Sequence, residues 1–416
     1  MFSDRTNWKL AQNRFTQAVE EVRASGAHLL DLTVSNPTRA GLQYDSAAIL
    51  GALGSAQAMD YDPQAKGLLE AREAVAGYYG WAHAVEDLDP DRIVVTTSTS
   101  EGYSFVFRLL CNAGDELLVP KPSYPLFEFL ADLQDVRLVP YPLIYDHGWQ
   151  MDFPSLEQAV TTRTRGVVVV HPNNPTGSYV KPGEVELLNA FCRRHGLVVI
   201  VDEVFLDYGL EHLHDDAERN TRSLHASVDR DSPIHRLDRD DRASFAGNRD
   251  VLTFTLSGLS KISALPQMKV AWVVTSGPRA EVDAAMGRLE VIADTYLSMN
   301  APMQWAVPVL LRQRENIQRQ LMERVRANLA ALDRQLSKQS ACERLSVEGG
   351  WYAVLRVPVT RSDEELAIEL VREKSVVVHP GHFYDFPSDG YLVLSLISPT
   401  DEFEHGICAV LGHLND

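Results

Sequence analysis

The sequence contains few cysteines, and their positions show no pairing pattern. The four are Cys111, Cys192, Cys342 and Cys408, spread over 416 residues. Their spacing includes neither a CxxC pair nor another metal-ligand rhythm, which argues against a zinc cluster and a disulfide scaffold. We therefore expect reduced thiols, mostly buried, and no bound metal.

Positive charge is scarce as well, since 39 lysines and arginines face 57 aspartates and glutamates, for a formal net charge of -18. Nucleic-acid grooves and anionic membrane surfaces are bound through clustered Lys and Arg, so we expect neither partner. No apolar run is long enough for a signal peptide or a membrane span, and residues 1–26 have the pattern of an amphipathic helix. The composition predicts an acidic, soluble, cytoplasmic protein.

The chain is rich in apolar residues, which make up 45 % of it, enough for a core larger than a single domain of usual size needs. Runs rich in Val and Ile alternate with helix-like segments, which is typical of a parallel sheet covered by helices. The predicted central strands lie in RIVVTTS, DELLVPKPSYP, VRLVPYPL, RGVVVVHPNNPTG, GLVVIVDEVFLDY and DVLTFTLSGLSK. We predict an α/β fold with a large domain over residues 46–290. A smaller α+β domain would combine residues 1–45 and 291–416, with one long helix over residues 304–340.

Residues 211–250 interrupt this pattern with a polar stretch that has many Asp and Arg residues and little periodicity. Its histidines raise the question of a metal site; they are His212, His214, His225 and His235. Because they lack regular ligand spacing, we predict a long surface loop rather than a metal site.

Three polar residues follow separate predicted strands, namely Asn174, Asp202 and Lys261. In open α/β sheets ligands bind beyond the carboxyl ends of the strands, so these residues would meet at one edge. One ligand, pyridoxal phosphate, explains all three: a lysine forms a Schiff base with its aldehyde, an acid keeps its pyridine nitrogen protonated, and an amide polarises its ring oxygen. Taken singly, each residue has a structural explanation as a surface lysine, a strand-end cap or a turn residue. Turns and caps do not explain the ordered set.

The same ligand would use further residues near these strand ends. Tyr124 is placed to stack on the ring. The turn TSTSEG offers the hydroxyls and helix N-terminal amides of Ser98–Ser100 to the phosphate, and Ser260 and Lys269 add a hydroxyl and a cation. Trp351, in GGWYAVLRVP, is a candidate for the substrate pocket, the alternative being an ordinary half-buried strand residue.

The motifs HPNNPTG, VDEVF and SGLSKISALPQMK occur in this order and resemble those of the fold-type I pyridoxal-phosphate aminotransferases of the class I and II group. The resemblance extends from about Leu32 to the C-terminus. It implies the fold-type I architecture, and a transaminase that moves an amino group between an amino acid and a 2-oxo acid by a ping-pong cycle. It also implies residue roles: the Schiff-base lysine at Lys261, the pyridine-nitrogen partner at Asp202, the ring-oxygen donor at Asn174, the stacking aromatic at Tyr124 and the phosphate turn at Thr99 and Ser100.

Two more positions carry implications of this resemblance. Tyr61, in MDYDPQAKGLLEAREAV, resembles a tyrosine that reaches the phosphate of a neighbouring subunit, which implies a homodimer with shared active sites. Asn36, in LTVSNPT, resembles a residue of the N-terminal substrate loop.

The chain departs from the family pattern at four positions. Phe205 stands where a tyrosine commonly hydrogen-bonds the ring oxygen, and Gly258 replaces a common serine. Lys269 stands where an arginine usually binds the phosphate, so a charge remains but the two-pronged donor is lost. Val393, in YLVLSLISP, occupies the place of the arginine for the substrate α-carboxylate. Arg39 and the arginines of the polar stretch are candidates to replace that arginine.

These departures keep two other functions open. A carbon-sulfur lyase would use the same cofactor for β-elimination, and would release ammonia and pyruvate without a 2-oxo acid acceptor. A non-catalytic regulatory protein would bind the cofactor without needing the missing groups. The presence of Lys261, Asp202 and Asn174 together favours an enzyme.

Overall fold

The computed structural model describes residues 1–8, 11–210, 242–297, 299–339 and 341–415. The predicted surface loop over residues 211–241, with its four histidines, lies outside the described residues. The strands are β1 (Leu30–Asp31), β2 (Ile93–Thr96), β3 (Glu116–Lys121), β4 (Arg137–Tyr145), β5 (Trp149–Met151), β6 (Thr164–Val170), β7 (Val198–Asp202), β8 (Thr253–Gly258), β9 (Ala271–Ser276), β10 (Glu343–Arg344), β11 (Tyr352–Arg356), β12 (Val376–Val377), β13 (His379–Pro380) and β14 (Tyr391–Ser395). The helices are α1 (Arg14–Ala24), α2 (Ser46–Leu53), α3 (Leu69–His83), α4 (Thr99–Leu110), α5 (Leu126–Leu133), α6 (Phe153–Ala159), α7 (Pro182–His195), α8 (Leu259–Ile262), α9 (Arg279–Tyr296), α10 (Ala301–Arg312), α11 (Arg314–Leu336), α12 (Asp363–Lys374) and α13 (Thr400–Asn415).

The large sheet has the strand order β2-β9-β8-β7-β6-β3-β4-β5. The pairs β4-β3, β3-β6, β6-β7 and β7-β8 are parallel, whereas β9 runs antiparallel to both of its neighbours. Successive residues of β7 enter different apolar cores, since Ile200 packs in one while Val199 and Val201 pack in the other. This alternation is expected of a strand covered on both faces, and it explains the continuous apolar run. The predicted α/β fold is confirmed.

A smaller sheet, β10-β11-β14-β13, is antiparallel, and a two-stranded parallel sheet joins β1 to β12. Leu30 near the N-terminus pairs with Val376, so the N-terminal arm packs with the C-terminal part of the chain. The domain limits given above stay a prediction. Among the described helices, none combines the length and apolarity that crossing a membrane requires.

The long helix predicted over residues 304–340 is wrong as a single element. Helix α10 ends at Arg312 and α11 begins at Arg314. At the junction the N–H of Gln313 bonds the carbonyl of Leu310, three residues back, which ends the α-helical pattern of bonds four residues back. Strand β9 is also absent from the predicted strands.

The prediction of a surface loop over residues 211–250 is wrong at residues 244–246, near its described end. Ser244 and Phe245 are buried. Hydrogen bonds to Glu203 hold these two residues inside the protein. The carboxylate of Glu203 accepts one from the Ser244 hydroxyl at 2.7 Å and one from the Phe245 N–H at 2.6 Å.

Candidate active site

Parallel neighbours β6, β7 and β8 bring the predicted residues to one edge of the large sheet. Asp202 is the last residue of β7 and pairs with Val170, the last residue of β6. Asn174 follows β6 after four residues, and β8 runs directly into α8, which carries Lys261. Polar groups far apart in the chain therefore meet because their strands are adjacent and point the same way.

Lys261 lies against aromatic rings. Its Nζ is 4.9 Å from the centre of the Trp351 ring and 5.4 Å from that of the Phe205 ring. Burial lowers the pKa of Lys261 to about 8, although the charge of Asp202 opposes this shift. The Tyr208 hydroxyl donates to the Lys261 carbonyl at 2.6 Å and so fixes the backbone. Near neutral pH a useful fraction of Lys261 is the neutral amine, the form that attacks an aldehyde.

Asp202 accepts two hydrogen bonds inside the site. Its Oδ2 accepts from the Tyr103 hydroxyl at 3.2 Å, and its Oδ1 accepts from the Val204 N–H at 3.1 Å. Burial raises the pKa of Asp202 to about 6, while these hydrogen bonds and the charge of Lys261 limit the rise. The carboxylate is therefore still ionised near neutral pH and can stabilise a cation beside it.

Asn174 lies in a tight turn after β6, closed by a 2.8 Å hydrogen bond from the Asn173 N–H to the Ser178 carbonyl. Gly177 in this turn has a φ of +70°, and a Cβ there would lie 2.5 Å from the Gly349 oxygen, so only glycine fits. Among the described residues, none donates a hydrogen bond to the buried Oδ1 of Asn174. This oxygen can accept a donor from a ligand, whereas a ring oxygen would be bound by the Nδ2–H donors of the same amide.

The turn between β2 and α4 presents helix N-terminal amides. The Ser98 hydroxyl caps the helix by accepting the Glu101 N–H at 3.1 Å, so it is already used within the protein. Thr99 and Ser100 are the first two residues of α4, whose N–H groups have no acceptor within the helix. Such a terminus favours a bound anion, which agrees with the phosphate site predicted there.

Two further phosphate candidates belong to the same sequence motif as Lys261. Ser260 precedes it in α8 and is partly exposed. Lys269 is exposed at the entry to β9, with left-handed backbone at φ +54°. Gly258 cannot carry the serine that the family resemblance implies, because a Cβ would lie 2.8 Å from the Val270 oxygen. The close approach of β9 to β8 therefore explains this departure.

Tyr124 and Asn36 differ in how closely the structure ties them to the site. Tyr124 is 46 % exposed, and its pKa is raised by burial and by the charge of Asp202, which places it within electrostatic range of that carboxylate. Asn36 is exposed, and its Oδ1 caps a short 3-10 helix by accepting from Thr38. Arg39, in the same helix, is exposed too. A role for Asn36 or Arg39 in substrate binding stays a prediction.

Tyr61 is not brought to this site within one chain. Its side chain is 82 % exposed, and it lines a cleft of about 350 Å³ together with Asn300 and Trp305. The residues that line this cleft include none of Lys261, Asp202 and Asn174.

Val393 is wholly buried in the small sheet, where it pairs with Val354 and His379. The place where the family resemblance implies an arginine therefore belongs to the apolar core. The α-carboxylate contact that the resemblance implies is therefore not made by a cation at this position.

The predicted residues omit Tyr103 and assign no role to Glu203. Tyr103 lies 99 positions from its partner Asp202, so no local pattern shows the contact. Glu203 is buried beside Asp202, and burial raises its pKa to about 7 against its two hydrogen bonds. Its position inside the VDEVF motif is the one signal that could have drawn attention to it.

The residues present fit pyridoxal phosphate. A lysine with a lowered pKa, an ionised carboxylate, an amide with N–H donors and a helix N-terminus are the groups that its aldehyde, pyridine nitrogen, ring oxygen and phosphate require. Within the described ranges, no cluster of His, Cys, Asp and Glu is arranged to hold a metal ion.

Comparisons of the sequence and of the fold with known proteins both find similarity to aminotransferases. The sequence profile of the family described as aminotransferase class I and II matches residues 27–401. Glutamate-pyruvate aminotransferase AlaA of Escherichia coli K12 is 29 % identical over 293 residues, which cover 70 % of this chain and 65 % of that enzyme. Alanine aminotransferase of Mycobacterium tuberculosis H37Rv is 27 % identical over 388 residues, 91 % of this chain and 83 % of the relative. Among solved structures, an alanine aminotransferase from Pyrococcus furiosus has the same fold, with a TM-score of 0.85 at 20 % identity over 100 % of both chains.

Proposed function

The chain belongs to the class I and II aminotransferases, and from this premise we propose that it transfers an amino group between an amino acid and a 2-oxo acid. Members of this family depend on pyridoxal phosphate. The observation that carries the proposal is the pair of Lys261 and Asp202 at adjoining strand ends. The lysine has a pKa lowered to about 8, and the acid remains ionised near neutral pH.

Each residue of the site has a distinct task in this reaction. Pyridoxal phosphate, when bound, supplies an aldehyde that condenses with amines and a ring that accepts electrons from the substrate α-carbon. Lys261 would hold it through Nζ and, once displaced by the substrate amine, would take the α-proton at the same atom. Asp202 would keep the pyridine nitrogen protonated, Asn174 would bind the ring oxygen, and the N–H groups of Thr99 and Ser100 would bind the phosphate.

For the substrates we propose alanine and glutamate as amino donors and pyruvate as an acceptor. The names of the two relatives described above support this choice. The aromatic ring of Phe205 beside Lys261 supports alanine in particular, whose side chain is small and apolar.

The experiment is an absorbance measurement on the purified protein with pyridoxal phosphate, followed by single amino acids without an acceptor. We expect a visible band that one donor converts to a near-ultraviolet band and that a 2-oxo acid restores. Lys261→Ala should lack this cycle, whereas Lys338→Ala, at an exposed position, should retain it. Accumulation of pyruvate while the visible band persists would indicate the lyase instead. A folded protein without any band would contradict the proposal.

We also propose a homodimer with shared active sites. Tyr61 is exposed in one chain, and so are two apolar neighbours in sequence, Met59 at 87 % and Leu69 at 44 %. Exposed apolar groups that cluster in this way mark interaction surfaces. A second copy on this face would remove these side chains from water and would bring Tyr61 to the partner's phosphate, as the family resemblance implies.

Hybrid dimers test this arrangement. Lys261→Ala and Tyr61→Ala variants are each expected to be weakly active, but one site of a mixed dimer would combine the native Lys261 with the native Tyr61. Since half of randomly reassociated dimers are mixed, activity should recover to about one quarter of the wild-type value. No recovery would mean that Tyr61 serves its own chain or no site.

Finally, we propose that the protein works in the cytoplasm. All four cysteines are unpaired, as expected of thiols in a reducing compartment.

A further inference from the structure

Phe205 leaves one side of the cofactor site without a hydrogen-bond donor. Its ring is buried, and its centre lies 5.4 Å from Lys261 Nζ. In pyridoxal phosphate the ring oxygen is attached next to the carbon that bonds this nitrogen, so that oxygen would lie close to the Phe205 ring. An anionic oxygen in a buried site needs donors. A phenyl ring supplies none.

Trp351 carries an unused donor at this position. The residue is wholly buried, and its Nε1 has no hydrogen-bond partner among the residues that the structure describes. Its ring centre lies 4.9 Å from Lys261 Nζ and 5.1 Å from the Phe205 ring centre. A buried N–H without an acceptor is destabilising, so its presence beside the reactive lysine points to an acceptor that arrives with a ligand.

Two neighbouring hydroxyl donors are already engaged within the protein. The Tyr208 hydroxyl donates to the Lys261 carbonyl, and the Tyr103 hydroxyl donates to Asp202. Resting on the proposed function, we propose that the Nε1–H of Trp351 donates a hydrogen bond to the ring oxygen of bound pyridoxal phosphate, in place of the hydroxyl that Phe205 lacks. Trp351 is thereby a cofactor-tuning residue rather than a substrate contact.

The backbone around Trp351 holds the indole in place. The Trp351 carbonyl accepts the Leu396 N–H at 2.7 Å, and the indole packs edge to face against the Tyr208 ring, with centres 5.0 Å apart. Gly349 precedes it where a Cβ would lie 2.8 Å from the Tyr179 ring, so the chain can pass there only without a side chain. A donor held on both sides loses little conformational entropy when it forms its bond.

The test titrates the visible absorbance of the cofactor-loaded protein with pH, in the absence of substrate. The titrating proton is shared between Lys261 Nζ and the ring oxygen. When that proton leaves, the oxygen keeps its negative charge with one donor fewer, so an additional N–H stabilises the deprotonated form and lowers the midpoint. Trp351→Phe removes the N–H and keeps a ring. It should raise the midpoint by about one pH unit, a tenfold change in the equilibrium.

Two further variants make the result specific. Phe205→Tyr in the Trp351→Phe background returns a hydroxyl to the site and should bring the midpoint back down. Trp149→Phe is the matched control, since Trp149 also has a buried, unpaired Nε1 but packs against Tyr145 and Phe386. Its midpoint should equal that of the wild type.

The outcomes separate this inference from the proposed function. Absence of a visible band in the wild type would refute the proposed function itself. A normal band with an unchanged midpoint in Trp351→Phe would overturn the role of Trp351, as would a variant whose only defect is weaker binding of a 2-oxo acid.

If Trp351→Phe does not fold, the ¹⁵N indole spectrum of the wild type replaces it. The Trp351 signal is assigned by elimination from Trp→Phe variants at the other positions. One indole N–H signal should move downfield when pyridoxal phosphate is added, as for a proton donated to an anionic oxygen. No such movement, or movement of a different tryptophan, would overturn the proposal.

Discussion

Replacing Lys261 with methionine should stabilise the cofactor-free protein at pH 7. The lysine is charged there in both the folded and the unfolded chain, but burial lowers its folded pKa from 10.5 to about 8. At about 1.4 kcal/mol per pH unit, this difference corresponds to ~3 kcal/mol against folding. Because part of the Lys261 side chain keeps contact with solvent, ~3 kcal/mol is an upper limit. Methionine has a similar length and no charge, so it removes this penalty.

The pH dependence identifies the cause. The penalty is fully present below about pH 8, and it is relieved as the pH rises from 8 to 10.5, where the folded lysine loses its proton before the unfolded one does. Urea unfolding midpoints of wild type and Lys261→Met, compared at one protein concentration, should therefore differ most at pH 7 and converge toward pH 10.5. Lys338→Met, at an exposed position, should show no such difference. A Lys261→Met protein less stable than wild type at pH 7, or a gain independent of pH, would refute the assigned cause.

Three other substitutions probe the groups around Lys261. Asp202→Asn removes the charge that raises the lysine pKa, so the pH midpoint for acylation of Lys261 in the cofactor-free protein should fall below about 8; an unchanged midpoint would contradict the coupling. Tyr103→Phe removes a hydrogen bond that lowers the pKa of Asp202, so the pH below which cofactor absorbance is lost should rise by up to about one unit. Gly258→Ser restores the family residue but forces its Cβ to 2.8 Å from the Val270 oxygen, so the melting temperature and the affinity for pyridoxal phosphate should both fall rather than rise.

The strands that could be predicted from the sequence are those buried on both faces, because such strands appear as continuous apolar runs. Strands β6, β7 and β8 are covered on both faces, so their Val-rich runs predict them directly. Strand β9 is also fully buried, but its apolar run comes directly after the lysine motif and was not separated from it. Its antiparallel direction cannot be recognised from the residue pattern. The break between α10 and α11 depends on one shifted backbone hydrogen bond at Gln313, which the amphipathic pattern does not encode.

For the site, the sequence predicted the residues that follow the ends of central strands. It did not predict residues that other elements of the fold bring to the site. Asp202 and Lys261 stand in short motifs, so their convergence follows from strand adjacency alone. The contact of Tyr103 with Asp202 depends on how α4 packs over the sheet, which spacing does not reveal. Tyr61 is a different case, since its predicted contact lies in a second chain, and within one chain its side chain is 82 % exposed.

One departure from the family pattern changes the surroundings of Lys261. Phe205 replaces a hydroxyl-bearing tyrosine, so these surroundings contain one hydrogen-bonding group fewer than the family resemblance implies. Burial is the main cause of the lowered pKa of Lys261, and the charge of Asp202 opposes it. In such surroundings an unpaired N–H is costly and a hydrogen bond to an anionic oxygen is strengthened, since both effects grow as the local dielectric falls. The same loss of polarity that makes Lys261 reactive therefore makes the free Nε1–H of Trp351 an effective donor, and the two should be tested together.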